Sequence, residues 1–168
     1  MNWVAYAIIF LVVLQRLGEL ILANRNTQRL KAQGATEIGA GHYPLIVLLH
    51  AVWLLAVLWL LPAGLEISWP WLILFALLQA ARVWVVMSLG PYWTTRIISV
   101  PGKPLIKTGP YRFVRHPNYI VVAGEILALP MAFHETLVAI FFSLANAAIL
   151  FWRIREEEIG LATRRELS

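Results

Sequence analysis

The sequence predicts an all-α integral-membrane helical bundle, with about five transmembrane helices, a C-terminal helical hairpin and a cytoplasmic cofactor site. Of the 168 residues, 60% are hydrophobic and 14% are charged, whereas soluble domains carry roughly 45–50% apolar and about 25% charged residues. Apolar segments approaching the roughly 20 residues of a membrane-spanning helix recur along the chain. Lys and Arg are concentrated in alternate connections. Because a soluble fold of this size could not hide so much apolar surface, a bilayer is the expected solvent.

Five apolar segments are the expected spans, and they cover approximately residues 3–23, 43–61, 69–89, 118–133 and 136–152. The first lacks the basic leading segment of a signal peptide, since its first cation is Arg16, so we expect a retained anchor. The last two are short for a full crossing and are joined only by His134 and Glu135. They should therefore form a tight helical hairpin.

The basic residues predict the orientation of the bundle. Of the 14 Lys and Arg, 12 follow the first, third or fifth span, while the connections 62–68 and 134–135 carry none. The positive-inside rule then places the N-terminus outside and the C-terminus in the cytoplasm, with an odd number of crossings. Tryptophans near segment ends are expected in an aromatic belt; they are Trp59, Trp69, Trp71, Trp93 and Trp152.

The length predicts a single domain over residues 1–168, with N-terminal spans in 1–89 and a loop, hairpin and C-terminal helix in 90–168. The absence of cysteine excludes disulfides and thiolate metal sites. The net charge of +5 follows the predicted topology, so no nucleic-acid partner is expected. Neither a dinucleotide fingerprint, a phosphate loop, an HExxH zinc motif nor a nucleophile elbow is present, and no metal site is predicted.

Ionisable residues inside spans need partners, because a lone charge in the bilayer costs at least about 2.5–3.5 kcal/mol. Arg16 and Glu19 share one helical face, so they form either a structural ion pair or part of a site. Arg82 is expected to snorkel to the cytoplasmic interface. Glu125 requires either a partner from another helix or a proton. His50 is expected to be an interhelical hydrogen-bonded histidine.

Polar chemistry is concentrated in GPYRFVRHPNY at residues 109–119. Pro117 and Asn118 are suited to begin the fourth helix, whose free N–H groups favour an anion. The guanidiniums of Arg112 and Arg115 strengthen that preference. Tyr111 and Tyr119 offer flat faces for an adenine ring or a cation. The loop therefore predicts a pocket for anionic and aromatic groups.

A second cluster, RIREEE at residues 153–158, continues the fifth helix. An exposed, ion-paired helix end would explain it without any ligand. A hairpin, however, returns both of its ends to one membrane face, which brings this cluster against the loop. The acids can then hold ribose hydroxyls or an ammonium, while the arginines hold a carboxylate. S-adenosylmethionine carries all of these groups.

The combined pattern GPYRxVRHPxY and RxxxEE resembles the isoprenylcysteine carboxyl methyltransferase family of membrane enzymes, closely over residues 103–161. RLGELILANRN at 16–26 and LGPYWTTRI at 89–97 resemble its bacterial branch. The resemblance implies an S-adenosylmethionine-dependent O-methyltransferase in the bacterial inner membrane. Its cofactor would bind on the cytoplasmic side, and its lipophilic substrate would arrive from the bilayer.

The resemblance also implies residue roles. The cofactor-binding residues would be Tyr111, His116, Pro117, Tyr119, Glu157 and Glu158. Arg115 and Arg153 would lie near the reacting oxygen, and His116 or a glutamate is a candidate base. The chain lacks the longer aromatic tail of the eukaryotic relatives. A polyketide lipid such as an alkylpyrone is therefore favoured as acceptor over a prenylcysteine-like carboxylate.

Two other functions fit parts of the sequence. Some sterol reductases end in a similar Arg-His-Pro stretch, so a nicotinamide-dependent membrane reductase is one alternative. The other is a non-catalytic membrane protein whose basic loop binds anionic lipid headgroups.

Overall fold

The computed structural model describes residues 2–160, and the architecture is a bundle of long α-helices. The helices are α1 (Asn2–Ala32), α2 (Tyr43–Trp59), α3 (Trp69–Leu89), α4 (Pro117–Ala132) and α5 (Thr136–Gly160). Short 3-10 turns cover Ala40–His42, Gly90–Tyr92 and Gly109–Arg112, and two strands are β1 (Thr36–Ile38) and β2 (Ile97–Ser99). The predicted all-α membrane class is confirmed. α1, α3 and α5 are long and apolar enough to cross a bilayer, whereas α2 has 17 residues and α4 has 16.

The helix boundaries agree with the hydropathy pattern except where helices leave the apolar region. α3 has the predicted ends, and α2 and α4 differ by one or two residues. α1, however, continues beyond Ala23 to Ala32, and α5 continues beyond Trp152 to Gly160. Hydropathy marks where a helix meets water, whereas the polar Arg, Lys, Gln and Glu residues that follow are good helix formers.

The connections meet at the two ends of the bundle as the charge pattern requires. At one end, the Ser68 amide of one cation-free connection donates at 3.0 Å to the carbonyl of Ala132, the last residue of α4, next to the other cation-free connection. At the other end, β1 and β2 pair antiparallel in the register Thr36↔Ser99. This ribbon was not predicted, because three-residue strands leave almost no pattern in a sequence. The ribbon joins the α1–α2 connection to the α3–α4 connection, beside the end of α5.

The expected snorkelling of Arg82 is wrong, since its side chain is buried within the bundle. Arg82 Nη2 lies 2.5 Å from Glu19 and Nη1 lies 3.0 Å from Glu125. Arg16 lies 3.2 Å from Glu19 and 2.7 Å from Glu125. These four side chains, called the charge network below, join α1, α3 and α4 with two positive and two negative charges. Glu125 thus has partners from α1 and α3, which was one of the two alternatives that its sequence position left open.

Two aromatic predictions also need correction. His50 Nδ1 lies 2.8 Å from the Ile46 carbonyl on its own helix, so its hydrogen bond is not interhelical. Trp93 is 2% exposed and lies inside the fold, whereas Trp59 and Trp69 are exposed as belt residues should be. Trp93 follows the end of α3, in a connection that folds back against the bundle. The distance of a residue from the end of a span does not show whether the following connection folds back in this way.

Candidate functional site

The loop and the end of α5 meet as the hairpin argument predicted. α4 begins at Pro117, directly after His116, and runs antiparallel to α5. Arg153 Nε donates to the Tyr119 hydroxyl at 2.8 Å, and that hydroxyl donates a short hydrogen bond to Glu157. The His116 ring stacks on the Tyr119 ring, with centroids 5.3 Å apart. Side chains from two distant parts of the sequence therefore form one connected cluster.

The charged groups farther out are held more loosely. His116 Nδ1 lies 3.7 Å from Glu157, and Arg115 Nη1 lies 3.9 Å from Glu158. The Arg115 side chain is 79% exposed, so its ion pair contributes little to stability. Arg115 thus lies at the exposed rim of the cluster.

Arg153 is the buried cation of the cluster, with 6% of its surface exposed. Its Nη2 donates to the Thr95 carbonyl at 2.7 Å, and its Nε is engaged by Tyr119. Its Nη1 is buried and hydrogen-bonds to none of the residues that the structure describes. Buried donors are normally paired, so this nitrogen marks a place where a ligand oxygen would be stabilised.

A polar cavity of about 390 Å³ lies against this cluster. Its lining includes Tyr111, Arg115, His116, Tyr119, Arg153 and Glu157 from the predicted site. Aliphatic and aromatic side chains from the C-terminal part of α1, from residues 89–98 and from the connection after β2 complete it. Pro117 and Glu158 are not part of the lining: Pro117 is buried at the start of α4, and Glu158 lies just outside. The cavity combines both signs of charge with flat apolar surfaces.

An apolar cavity of about 440 Å³ lies deeper in the bundle. Aliphatic side chains of α1 and α2 form most of its surface, and three members of the charge network, Arg16, Glu19 and Arg82, line it as well. Leu17 of α1 and Leu55 of α2 belong to this lining although they are 52% and 63% exposed. Because these residues face the surface that lipids would cover, the cavity opens sideways toward the bilayer.

The two cavities share one wall. Five residues line both of them, namely Trp93, Thr94, Asn118, Tyr119 and Arg153. The shared wall is fixed from α1, because Asn26 Nδ2 donates to the Trp93 carbonyl at 2.8 Å and to the Gly90 carbonyl at 3.2 Å. Sequence reasoning did not assign Trp93, Thr94 or Asn26 to the site. These residues lie in the segments LGPYWTTRI and RLGELILANRN. The resemblance of those segments to the bacterial branch of the family could have indicated them.

Strand β2 of the β1–β2 ribbon lines the polar cavity. Glu37 accepts from Lys31 at 2.6 Å and from Arg96 at 2.5 Å. Burial opposes ionisation of Glu37, but these two cations outweigh it and lower the pKa of the carboxyl below its usual value. Burial, followed by the negative charge of Glu157, raises the pKa of Tyr111. Tyr111 therefore stays a neutral phenol in the cavity.

Gly109→Ala is expected to disrupt the loop. Gly109 has φ +57°, and an added Cβ would overlap the Ser88 side chain of α3. The left-handed conformation costs a residue with a side chain about 1–2 kcal/mol, and overpacking adds about 1–3 kcal/mol. Gly102→Ala is the matched control, because Gly102 has φ +70° but open space around it. Thermal unfolding in detergent should show the larger loss for Gly109→Ala; equal losses would contradict the packing argument.

Together these features define a membrane-embedded helical bundle in which a polar cavity and a lipid-facing cavity meet at one wall. The chain belongs to the isoprenylcysteine carboxyl methyltransferase (ICMT) family, whose sequence profile matches residues 71–163. Membership of this family supports a membrane methyltransferase.

Two curated relatives extend the comparison beyond the matched region. The chain is 40% identical over 166 residues to "Uncharacterized protein YpbQ" of Bacillus subtilis, covering 96% of both chains. It is 25% identical over 152 residues to an "Uncharacterized protein" of Haemophilus influenzae, covering 88% of both chains. No solved structure matches the chain.

Proposed function

We propose that the protein is an S-adenosylmethionine-dependent O-methyltransferase that acts on a lipophilic acceptor. Its cofactor binds in the polar cavity, and its acceptor arrives from the bilayer in the apolar cavity. The observation that carries this proposal is the shared wall, where five residues face both cavities. The polar cavity lies at the end of the bundle where the basic connections gather, so the cofactor side is cytoplasmic by the positive-inside rule.

The polar cavity offers the groups that the cofactor requires. The Glu157 carboxylate suits ribose hydroxyls or the ammonium, and the exposed Arg115 suits the carboxylate. The neutral ring of Tyr111 suits the adenine. Besides Arg153 Nη1, the buried His116 Nε2 hydrogen-bonds to no residue within the described chain. His116 Nε2 lies 4.0 Å from Glu158 Oε1, too far for a hydrogen bond. Buried polar atoms are normally hydrogen-bonded, so a polar ligand in this cavity would stabilise both nitrogens.

The cofactor supplies an electrophilic methyl group on a sulfonium, and the protein supplies alignment and charge. Holding two reactants in line can lower a barrier by roughly 7–11 kcal/mol. Arg153 would stabilise the acceptor oxygen as an anion, because its buried guanidinium has a donor to spare at the shared wall. A carboxylate acceptor needs no base, whereas an enol or phenol must also lose a proton.

The apolar cavity fits an acceptor with a hydrocarbon chain and one reactive oxygen. Its aliphatic lining and lateral opening accommodate the chain, while Arg153, Tyr119 and Thr94 receive the oxygen. An alkylpyrone or a related polyketide lipid meets this description, and so does a prenylcysteine-like carboxylate.

Transfer of a labelled methyl group tests the proposal. Purified protein is incubated with methyl-labelled S-adenosylmethionine and a bacterial lipid extract, and the labelled lipid is identified by mass spectrometry. We expect label in one class of oxygen-bearing lipid. Calorimetric binding of NADPH without S-adenosylmethionine would instead favour a reductase. Binding of neither cofactor would favour a non-catalytic lipid-binding protein.

Glu157→Gln is expected to weaken cofactor binding. Hydrogen bonds to charged groups contribute about 1.5–3 kcal/mol, and each 1.4 kcal/mol is a factor of ten in affinity. The dissociation constant for S-adenosylhomocysteine, measured by calorimetry, should therefore rise about 10- to 100-fold. Glu156→Gln is the matched control, because Glu156 bonds Trp152 at 3.4 Å and does not line the polar cavity. Unchanged affinity in Glu157→Gln would remove Glu157 from the cofactor site.

A further inference from the structure

The Tyr119 hydroxyl joins the acceptor side of the shared wall to a carboxylate on the cofactor side. Among the five wall residues, Tyr119 and Thr94 carry hydroxyl groups. Thr94 Oγ1 donates at 2.7 Å to the Arg96 carbonyl, which is too weak a base to accept a proton fully. Tyr119 instead donates to Glu157, whose carboxylate is a base. Of these two hydroxyls, that of Tyr119 is therefore the one hydrogen-bonded to a group that can accept its proton.

The phenol oxygen of Tyr119 retains capacity for one more hydrogen bond. It accepts from Arg153 Nε at 2.8 Å, and a phenol oxygen has two lone pairs. Tyr119 also lines the apolar cavity, so an acceptor hydroxyl in that cavity can donate to the second lone pair. On the far side, His116 Nδ1 lies 3.7 Å from Glu157. A chain of groups thus leads from the acceptor cavity to the polar cavity.

We propose that Tyr119 conducts the proton of a hydroxyl acceptor to Glu157 during methyl transfer, an inference that rests on the proposed function. The acceptor oxygen forms a bond to the methyl carbon while the bond from that carbon to the sulfonium sulfur breaks. The acceptor proton moves to the Tyr119 oxygen, and the Tyr119 proton moves to Glu157. The products are a methyl ether, a neutral thioether and one proton on Glu157, which then leaves through His116 or water.

The surrounding charges favour this direction of transfer. Arg153, the cation in contact with Tyr119, stabilises negative charge on the phenol oxygen and on the acceptor oxygen. Glu157 accepts the hydrogen bond of the Tyr119 hydroxyl, and the His116 ring stacks on the Tyr119 ring. Because general acid–base catalysis contributes about 10²–10⁴-fold, loss of the hydroxyl should be measurable on a protonated acceptor.

Tyr119→Phe tests the proposal with two probes. The variant keeps the ring that stacks on His116 and removes the hydroxyl. Probe one is an alkylphenol with a pentadecyl chain; probe two is its nitro-substituted analogue, which is already ionised at mildly alkaline pH. Single-turnover methylation is measured in detergent micelles at saturating labelled S-adenosylmethionine. Tyr6→Phe is the matched control, because Tyr6 is half-exposed on α1 and lines neither cavity.

We expect Tyr119→Phe to slow methylation of the alkylphenol by at least about 10²-fold and to leave the ionised analogue within a few-fold. The deficit on the alkylphenol should shrink as the pH approaches about 10, where a phenol ionises unaided. An equal loss on both probes would show a structural role and overturn the proposal. So would an unimpaired variant, or a wild-type protein that binds S-adenosylhomocysteine but leaves the alkylphenol unmethylated. Failure to bind S-adenosylhomocysteine would refute the proposed function itself.

Discussion

Arg153→Lys is expected to lower the rate of methyl transfer by about 10²–10³-fold, the loss typical of removing one preorganised donor from a developing oxyanion. A lysine ammonium carries the same charge but is a compact point donor, whereas guanidinium is a planar fork. The fork of Arg153 reaches Tyr119 and the Thr95 carbonyl and leaves Nη1 unpaired at the shared wall. An ammonium cannot occupy these three positions at once.

The matched control for this variant is Arg155→Lys. Arg155 lies two residues away on α5, is exposed, and is placed over the Phe151 ring with its guanidinium carbon 4.9 Å from the centroid. It should retain activity within about two-fold, as surface substitutions usually perturb little. Both proteins should insert into membranes equally, which detergent extraction and gel filtration would show. An Arg153→Lys protein with near-parental turnover would exclude Arg153 from contact with the acceptor oxygen.

Glu125→Gln is expected to destabilise the protein by about 3–5 kcal/mol, because removing one partner of a buried ion pair leaves uncompensated charge. Glu125 is 1% exposed and accepts from Arg16, Arg82 and Gln79. Its loss would leave the charge network with two cations and one anion inside the bilayer, where water cannot compensate. Thermal unfolding in detergent measures the effect.

The control for this prediction is a double variant that restores the charge balance of the network. Combining Glu125→Gln with Arg82→Gln returns the network to one cation and one anion, so the double variant should lose less stability than the sum of the two single variants. Glu66→Gln, at an exposed position in the α2–α3 connection, should be close to neutral. If the double variant lost the full sum, the four side chains would not act as one network.

The fold could be predicted well because hydropathy and cation placement report directly on the bilayer. The ends of α3 and the tight turn at His134 follow from those patterns, and so does the meeting of the loop with the end of α5. The start of α4 and the end of α5 must lie at the same membrane face, because the two helices form a hairpin.

The shared wall could not be predicted, because it depends on contacts between distant segments. Trp93 looked like a belt residue, yet Asn26, far earlier in the chain, holds the connection that buries it. Arg82 looked free to reach water, but its partners Glu19 and Glu125 lie on two other helices. Local periodicity records which residues prefer the interior; it does not record which helices become neighbours.

A structure of the protein bound to S-adenosylhomocysteine would test the central claim most directly. The account predicts the nucleoside in the polar cavity beside Tyr111 and Glu157, with the sulfur directed at the shared wall between Arg153 and Tyr119. A nucleoside bound outside that cavity, or a sulfur turned away from the wall toward the rim at Arg115, would contradict it. In that case, the two cavities could not exchange a methyl group across their common boundary.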